Sequence, residues 1–233
     1  MRVFISGRGV FAVQVAEAAL AAGHELVGVA SPRLRAAQSD EANAASWDRL
    51  RGWAYPRDVP WTDAAELRAP HIPAGTQVIV AAHSHAFIGS RTRARASVAS
   101  IGYHPSLLPL HRGRDAVRWT IRDGDRVAGG SVYHLSQRTD GGAIAAQEHV
   151  LVPRHATAES LWRELLAPLG VRLLLRVLED LANGRNVQVA QDESVATWEP
   201  SMHSAPLFKP ELIELTSKDS APVVGDRWAL IDR

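Results

Sequence analysis

The sequence predicts an α/β fold: a mostly parallel sheet flanked by helices, followed by a short irregular C-terminal extension. Two observations carry this. The first thirty residues run strand, glycine turn, helix, strand, a unit that makes its two strands parallel neighbours. Further on, short apolar runs of strand length alternate with helical segments, the longest of them strongly amphipathic.

Val3-Phe4-Ile5 is the first buried strand, Ser6-Gly7-Arg8-Gly9 the turn, and Val10 to Leu20 a helix that Gly23 stops. Glu25 to Ala30 is the second strand. Residues 33 to 73 carry Arg, Asp, Trp and Pro without sustained periodicity, and a short helix is expected around Glu41 to Trp53. Gln77 to Ala82 is a strand that runs directly into His83-Ser84-His85-Ala86-Phe87-Ile88-Gly89. Arg91 to Ala96 is read as helical, and Ser100 to Tyr103 as a short strand delivering His104 to a sheet end. Asp115 to Ile121 is a helix closed by Asp123-Gly124-Asp125. Val127 to Leu135 and Ala143 to Val152 are strands joined through the turn at Arg138 to Gly142. Thr157 caps a long helix through Leu181, with Leu161, Leu165, Leu169, Leu173 and Leu174 on its buried side, and Asn183-Gly184 ends it. The domain expected from this pattern is 1–186. Residues 187–233 form the extension, where Val195 to Trp198 and Arg227 to Ile231 are candidate strands of a hairpin near the site, and packing against the sheet is the simpler role for their aromatics.

Composition narrows the function. Twenty-six basic and 25 acidic side chains leave a net charge of +1, so no general attraction to nucleic acid or to an anionic membrane is expected. The absence of Cys removes disulfides, thiolate metal sites and a Cys nucleophile together. With no signal-peptide pattern and no run of ~18 apolar residues, the expectation is a cytoplasmic protein without membrane partners. A homodimer is left open.

Three places carry chemistry. Gly7-Arg8-Gly9 at the start of a helix could cradle an anion, but Ala12 stands where a dinucleotide fingerprint ends in glycine, and a plain tight turn is preferred. NAD binding is therefore disfavoured. His83 and His85 flank Ser84 at the end of a central strand, where open α/β sheets place ligands. A metal shared with His104 or Asp140 is conceivable there, yet with no HxxxH or Cys partner the preferred reading is a polar pocket wall, and no metal is assigned. His104, before Pro105, and Asp140, before Gly141-Gly142, sit on irregular loops. There a carboxylate could fix the imidazole tautomer and raise its basicity.

His104-Pro105-Ser106-Leu107-Leu108-Pro109, then Arg112-Gly113, Gly124-Asp125, Gly129-Gly130 and Asp140-Gly141-Gly142-Ala143-Ile144 resemble the folate-dependent formyltransferase family. The similarity spans about residues 1 to 184 and is nearest the methionyl-tRNA and amino-sugar branch. It implies a Rossmann-like fold, 10-formyltetrahydrofolate as formyl donor, and a catalytic Asn-x-His plus Asp. His104 and Asp140 match the last two, and Gly102 occupies the Asn position. The lost carboxamide would have met the formyl oxygen as it became an oxyanion; one such donor is worth about 3 kcal/mol, and His85, His83, Tyr103 or a water are the candidate replacements. Folate contacts implied by the resemblance fall on Ala82, His83, His85, Phe87, Ile88, Leu135, Gln137, Arg138, Thr139 and Asp140, and acceptor contacts on Gly7, Arg8, Gly9, Ser106, Arg112, Gly113 and Arg114. A tRNA acceptor would call for a C-terminal barrel of about a hundred residues, as the resemblance implies, so the expected acceptor is a small amine such as an amino sugar on a nucleotide. Hydrolysis of the same donor, or folate binding without turnover, are the alternatives.

Overall fold

The computed structural model describes residues 1–33 and 47–202. Seven strands form one sheet: β1 (Arg2–Gly7), β2 (Glu25–Ser31), β3 (Trp61–Asp63), β4 (Val78–Ala82), β5 (Ala99–His104), β7 (Val127–His134) and β8 (Ile144–Leu151). Their order is β3-β2-β1-β4-β5-β7-β8. The first five are parallel, while β7 and β8 run antiparallel. Chain order reverses between β1 and β4, so the loops after those two strands flank the crevice in which such sheets hold ligands. Two short strands, β6 (Arg112–Gly113) and β9 (Trp198–Glu199), pair separately in parallel.

Alternation along the strands splits the core. Val3, Ile5, Val78, Val80, Ile101 and Tyr103 face helices α1 (Gly9–Ala21) and α6 (Ala167–Ala182), whereas Phe4 and Ile79 face the opposite side with Leu67, Ile72 and Ile88. Because the period is two, Gly102 and His104 share the face opposite Tyr103. Tyr103 is clamped on the helical face: its hydroxyl donates to the Leu166 carbonyl (2.7 Å), and a Cβ at Gly130 or Gly170 would meet its ring at 2.5 Å.

One expectation changed, and others reach beyond the described residues. The single helix from Thr157 is α5 (Ala158–Ser160), a π-helical stretch Leu161–Leu166, and then α6. Pro168, early in α6, has no N–H to return to the preceding turn, which accounts for the widened stretch ahead of it. The helix expected at Glu41 to Trp53 is seen as α2 (Arg49–Ala54), and positions 34–46 lie outside the described residues. One compact unit runs from Met1 to Glu199; the strand expected at Arg227 to Ile231 lies outside the described residues. Among the described residues no helix is long and apolar enough to cross a membrane.

Candidate active site

β5 ends in His104, and the loop that follows is pinned to the sheet. Ser131 Oγ, on β7, donates to the Ser106 carbonyl (2.7 Å) and accepts from the Leu108 N–H (3.1 Å), while Gln147 on β8 donates to the Leu108 carbonyl (2.9 Å). His104 is 6% exposed and Asp140 8%, and the structure brings them together: His104 Nδ1 lies 3.7 Å from Asp140 Oδ2. That separation is too long for a hydrogen bond. The tautomer is set elsewhere, which corrects the role expected for Asp140. His104 Nε2 is 2.7 Å from the His111 carbonyl oxygen, and a carbonyl only accepts, so Nε2 carries a hydrogen, and in the neutral ring Nδ1 is the nitrogen with the lone pair.

Asp140 has a left-handed backbone, φ 49°, in a turn held against a strand end: a Cβ at Gly142 would stand 1.7 Å from the His134 carbonyl oxygen. Its Oδ1 accepts from the Tyr133 hydroxyl (2.7 Å) and its Oδ2 from the Gly113 N–H (2.9 Å). Burial, and then the neighbouring Asp140 charge, push the Tyr133 phenol well above its ordinary pKa, so it stays a donor. Tyr133 is also the cross-strand partner of Gly102. A Cβ at Gly102 would meet Leu135 Cδ2 at 3.0 Å and the Tyr133 ring at 3.3 Å, so these two side chains crowd the place of a residue 102 side chain.

Several expected acceptor contacts are corrected. Arg112 is 2% exposed, and its guanidinium is committed internally to Glu193 (2.9 and 2.8 Å) and Gln191 (3.1 and 2.7 Å). Ser106 is buried and donates to the Leu110 carbonyl (2.6 Å). The Gly113 N–H serves Asp140. At the N-terminus of α1 the Gly9 N–H donates to the Asp48 carboxylate (3.3 and 3.1 Å), so an internal anion occupies the position an external one would take. Arg8 and the exposed Arg114 remain, and both charges act on His85. Tyr103 is also ruled out as a stand-in donor, since its hydroxyl is spent on Leu166 across the sheet.

The His83 and His85 rings stack edge-on at 5.2 Å, with Trp162 5.7 Å from His83. His83 has φ 58°; desolvation, then the like charges of His85 and Arg8, push it from 6.5 down to about 4, against the opposing pull of Asp48. Desolvation, followed by Arg8 and Arg114, lowers His85 as well. Both rings are therefore mainly neutral near pH 7. Beside them a cavity of about 740 Å³ lies between Gly7-Arg8, the Ala64–Arg68 segment and Ser84–Thr92, with Arg8, Arg68 and Arg91 on its walls. His85 and Phe87 line it; His104 and Asp140 do not. Of the expected folate residues, Ala82 and Ile88 are buried, Leu135 is half-buried, and Gln137, Arg138 and Thr139 are exposed.

Sequence reading missed His111, Tyr133, Gln191 and Thr197. His111 Nε2 pairs with Asp125 (2.8 Å), and its buried Nδ1 lies 3.4 Å from Glu199 without a hydrogen bond. Among the described residues, one group could gather three ligand atoms for a cation: His111, Asp123 and Glu199, of which Asp123 is exposed. His83 and His85 are not in it. Thr197 holds the same loop, its Oγ1 accepting from the His111 N–H (2.7 Å).

The formyl transferase family model matches residues 1–178. The chain is 34% identical over 206 residues to methionyl-tRNA formyltransferase of Chloroflexus aurantiacus, covering 84% of this chain and 64% of that protein. It is 30% identical over 201 residues to mitochondrial 10-formyltetrahydrofolate dehydrogenase of Mus musculus, covering 85% of this chain but spanning 22% of the dehydrogenase. In fold it is similar to a sugar 3N-formyltransferase crystallised with dTDP and 5-N-formyl-tetrahydrofolate (TM-score 0.67, 15% identity, 85% of this chain and 69% of that one). A glycinamide ribonucleotide transformylase from Symbiobacterium toebii is similar too (TM-score 0.64, 21% identity, 82% and 94%).

Proposed function

The chain belongs to the formyl transferase family, and from that premise we propose that it moves the formyl group of 10-formyltetrahydrofolate to the amine of a small acceptor. The observation that carries this reading is the placement of His104, its Nε2 held by the His111 carbonyl and its Nδ1 facing a buried carboxylate 3.7 Å away with no hydrogen bond between them. As the acceptor amine attacks the formyl carbon, Nδ1 takes the proton the amine loses. Asp140, fixed by Tyr133 and Gly113, stabilises the imidazolium, and His104 then returns the proton to the departing nitrogen. Gly102 offers no side chain to the oxyanion, which leaves His85, His83 or a water as its donor.

The cavity wall at Arg68 and Arg91 suits the carboxylate-bearing tail of a folate. On the acceptor side Arg8 and Arg114 supply cations of the kind a diphosphate needs, so the acceptor class proposed is an amino sugar nucleotide. A neighbour from Helicobacter canadensis binds one such compound, dTDP-3-aminofucose.

The test is tetrahydrofolate release with and without a panel of amines, on the wild type, His104→Ala and Asp140→Asn. Amine-dependent release that falls a hundredfold or more in both variants, with donor still bound, supports transfer. Release without an amine means hydrolysis. Binding without release, or full activity in either variant, overturns the assignment.

A further inference from the structure

We propose that Gln191 is a positioning residue that locks the catalytic turn carrying Asp140 to the loop carrying Arg112. The proposal rests on the His104–Asp140 reading above. The family match ends at residue 178, so it lies in a stretch that the match does not reach.

Gln191 makes four contacts with one planar amide. Its Oε1 accepts from Arg112 Nε (3.1 Å) and Nη2 (2.7 Å), and its Nε2 donates to the Asp140 carbonyl (2.7 Å) and the Gly142 carbonyl (2.7 Å). That uses both donors and both acceptor sites of a carboxamide. The opposite amide orientation would set nitrogen against guanidinium and oxygen against two carbonyls, so the chemistry fixes which end faces which.

What the amide joins gives the proposal its content. Arg112 lies between the two residues whose backbones hold the catalytic pair: the His111 carbonyl fixes the His104 tautomer, and the Gly113 N–H holds Asp140 Oδ2. On the other side Asp140 adopts a left-handed conformation, which Asp tolerates better than most non-glycine residues, and the bond from Gln191 Nε2 to the Asp140 carbonyl helps to hold it. Glu193 completes the guanidinium on its second edge, so the plate Arg112–Gln191 is rigid and charge-compensated. Glutamate at 191 would keep Arg112 but press an anion against two carbonyl oxygens. Aspartate or asparagine would fall one methylene short.

The experiment compares full-length wild type with Gln191→Ala, Gln191→Met and Asp192→Ala. Methionine keeps the side-chain volume should alanine fail to fold. Asp192 is exposed and accepts from the Ser194 N–H (2.9 Å), so its loss loosens the same stretch without touching Asp140 or Arg112. The expected result is a fall in kcat of about tenfold or more in the Gln191 variants with donor KM within about twofold, because sub-ångström misplacement acts on the chemical step. Asp192→Ala should keep its kcat whatever its melting temperature does. A Gln191→Met enzyme with wild-type kcat, or an equal loss in Asp192→Ala, overturns the proposal. If the wild type turns over neither with amines nor with water, it is the reaction that is misread. The brace is then judged by a crystal structure of Gln191→Met, where release of the Asp140–Gly113 contact supports it and an unmoved Asp140 refutes it.

Discussion

Tyr133→Phe isolates the grip on the catalytic carboxylate. The change deletes one oxygen from a side chain that is 8% exposed and leaves its ring in place against Gly102. What is lost is the 2.7 Å bond to Asp140 Oδ1, after which the Gly113 N–H is the remaining hydrogen bond to that carboxylate among the described residues. A buried hydrogen bond to a charged group is worth about 1.5–3 kcal/mol. For a chain of this size that predicts a melting temperature lower by about 3–12 °C. Calorimetry at neutral pH reads the stability, and single-turnover formyl transfer reads the chemistry, where a slower step at unchanged donor affinity is expected. An unchanged melting temperature would show that the hydroxyl does not hold the carboxylate, and the geometry drawn for Asp140 would fall with it.

Asp48→Ala should cost about 1–2 kcal/mol, since that carboxylate caps α2 through the Leu50 N–H and also serves the Gly9 N–H of α1. It should also make the melting temperature sensitive to millimolar sulfate, which the wild type ignores; equal sensitivity in both would refute an internal anion at α1. For His83 the folded state refuses a proton down to about pH 4 while the unfolded chain binds one below 6.5. Stability should therefore be complete above 6.5 and decline as pH falls towards 4. His83→Gln should flatten that decline, a difference of about 1 kcal/mol once solvent screening at its open edge is allowed for, measured by urea melts at pH 7 and 4.5. Gly142→Ala puts a methyl 1.7 Å from a backbone oxygen, which should destabilise by about 3 kcal/mol and abolish turnover, as a melt and a kcat would show.

The parallel half of the sheet was legible because its strands are buried on both faces and read as unbroken apolar runs, as in Val3-Phe4-Ile5 and Val78-Ile79-Val80. His104 and Asp140 stood out through the proline and glycine that stiffen their loops. Arg112 was misread because an arginine before a glycine looks poised for a ligand, and its burial depends on Gln191 and Glu193, 79 and 81 positions away. The same distance hid the order of the segment after Val187, whose contacts mix backbone bonds at Val189 and Thr197 with side-chain bonds at Gln191 and Glu193 and leave no period to read. The imidazole tautomer was invisible for a related reason: it is dictated by the backbone oxygen of His111, and a carbonyl has no letter in a sequence. Leucines spaced by four from Leu161 to Leu173 likewise gave no sign of the π-helical stretch before Pro168.

The buried guanidinium of Arg112 also ties the stretch around Gln191 and Glu193 to the body of the domain. A fragment ending at residue 186 would keep every strand of the main sheet yet open the Arg112 guanidinium to water and cut the Gln191 amide away from the Asp140 turn. Such a fragment is expected to keep its sheet and lose the geometry of the turn that carries Asp140. Natural fusions and engineered splices of this chain are therefore expected to lose turnover at joints inside 187–199.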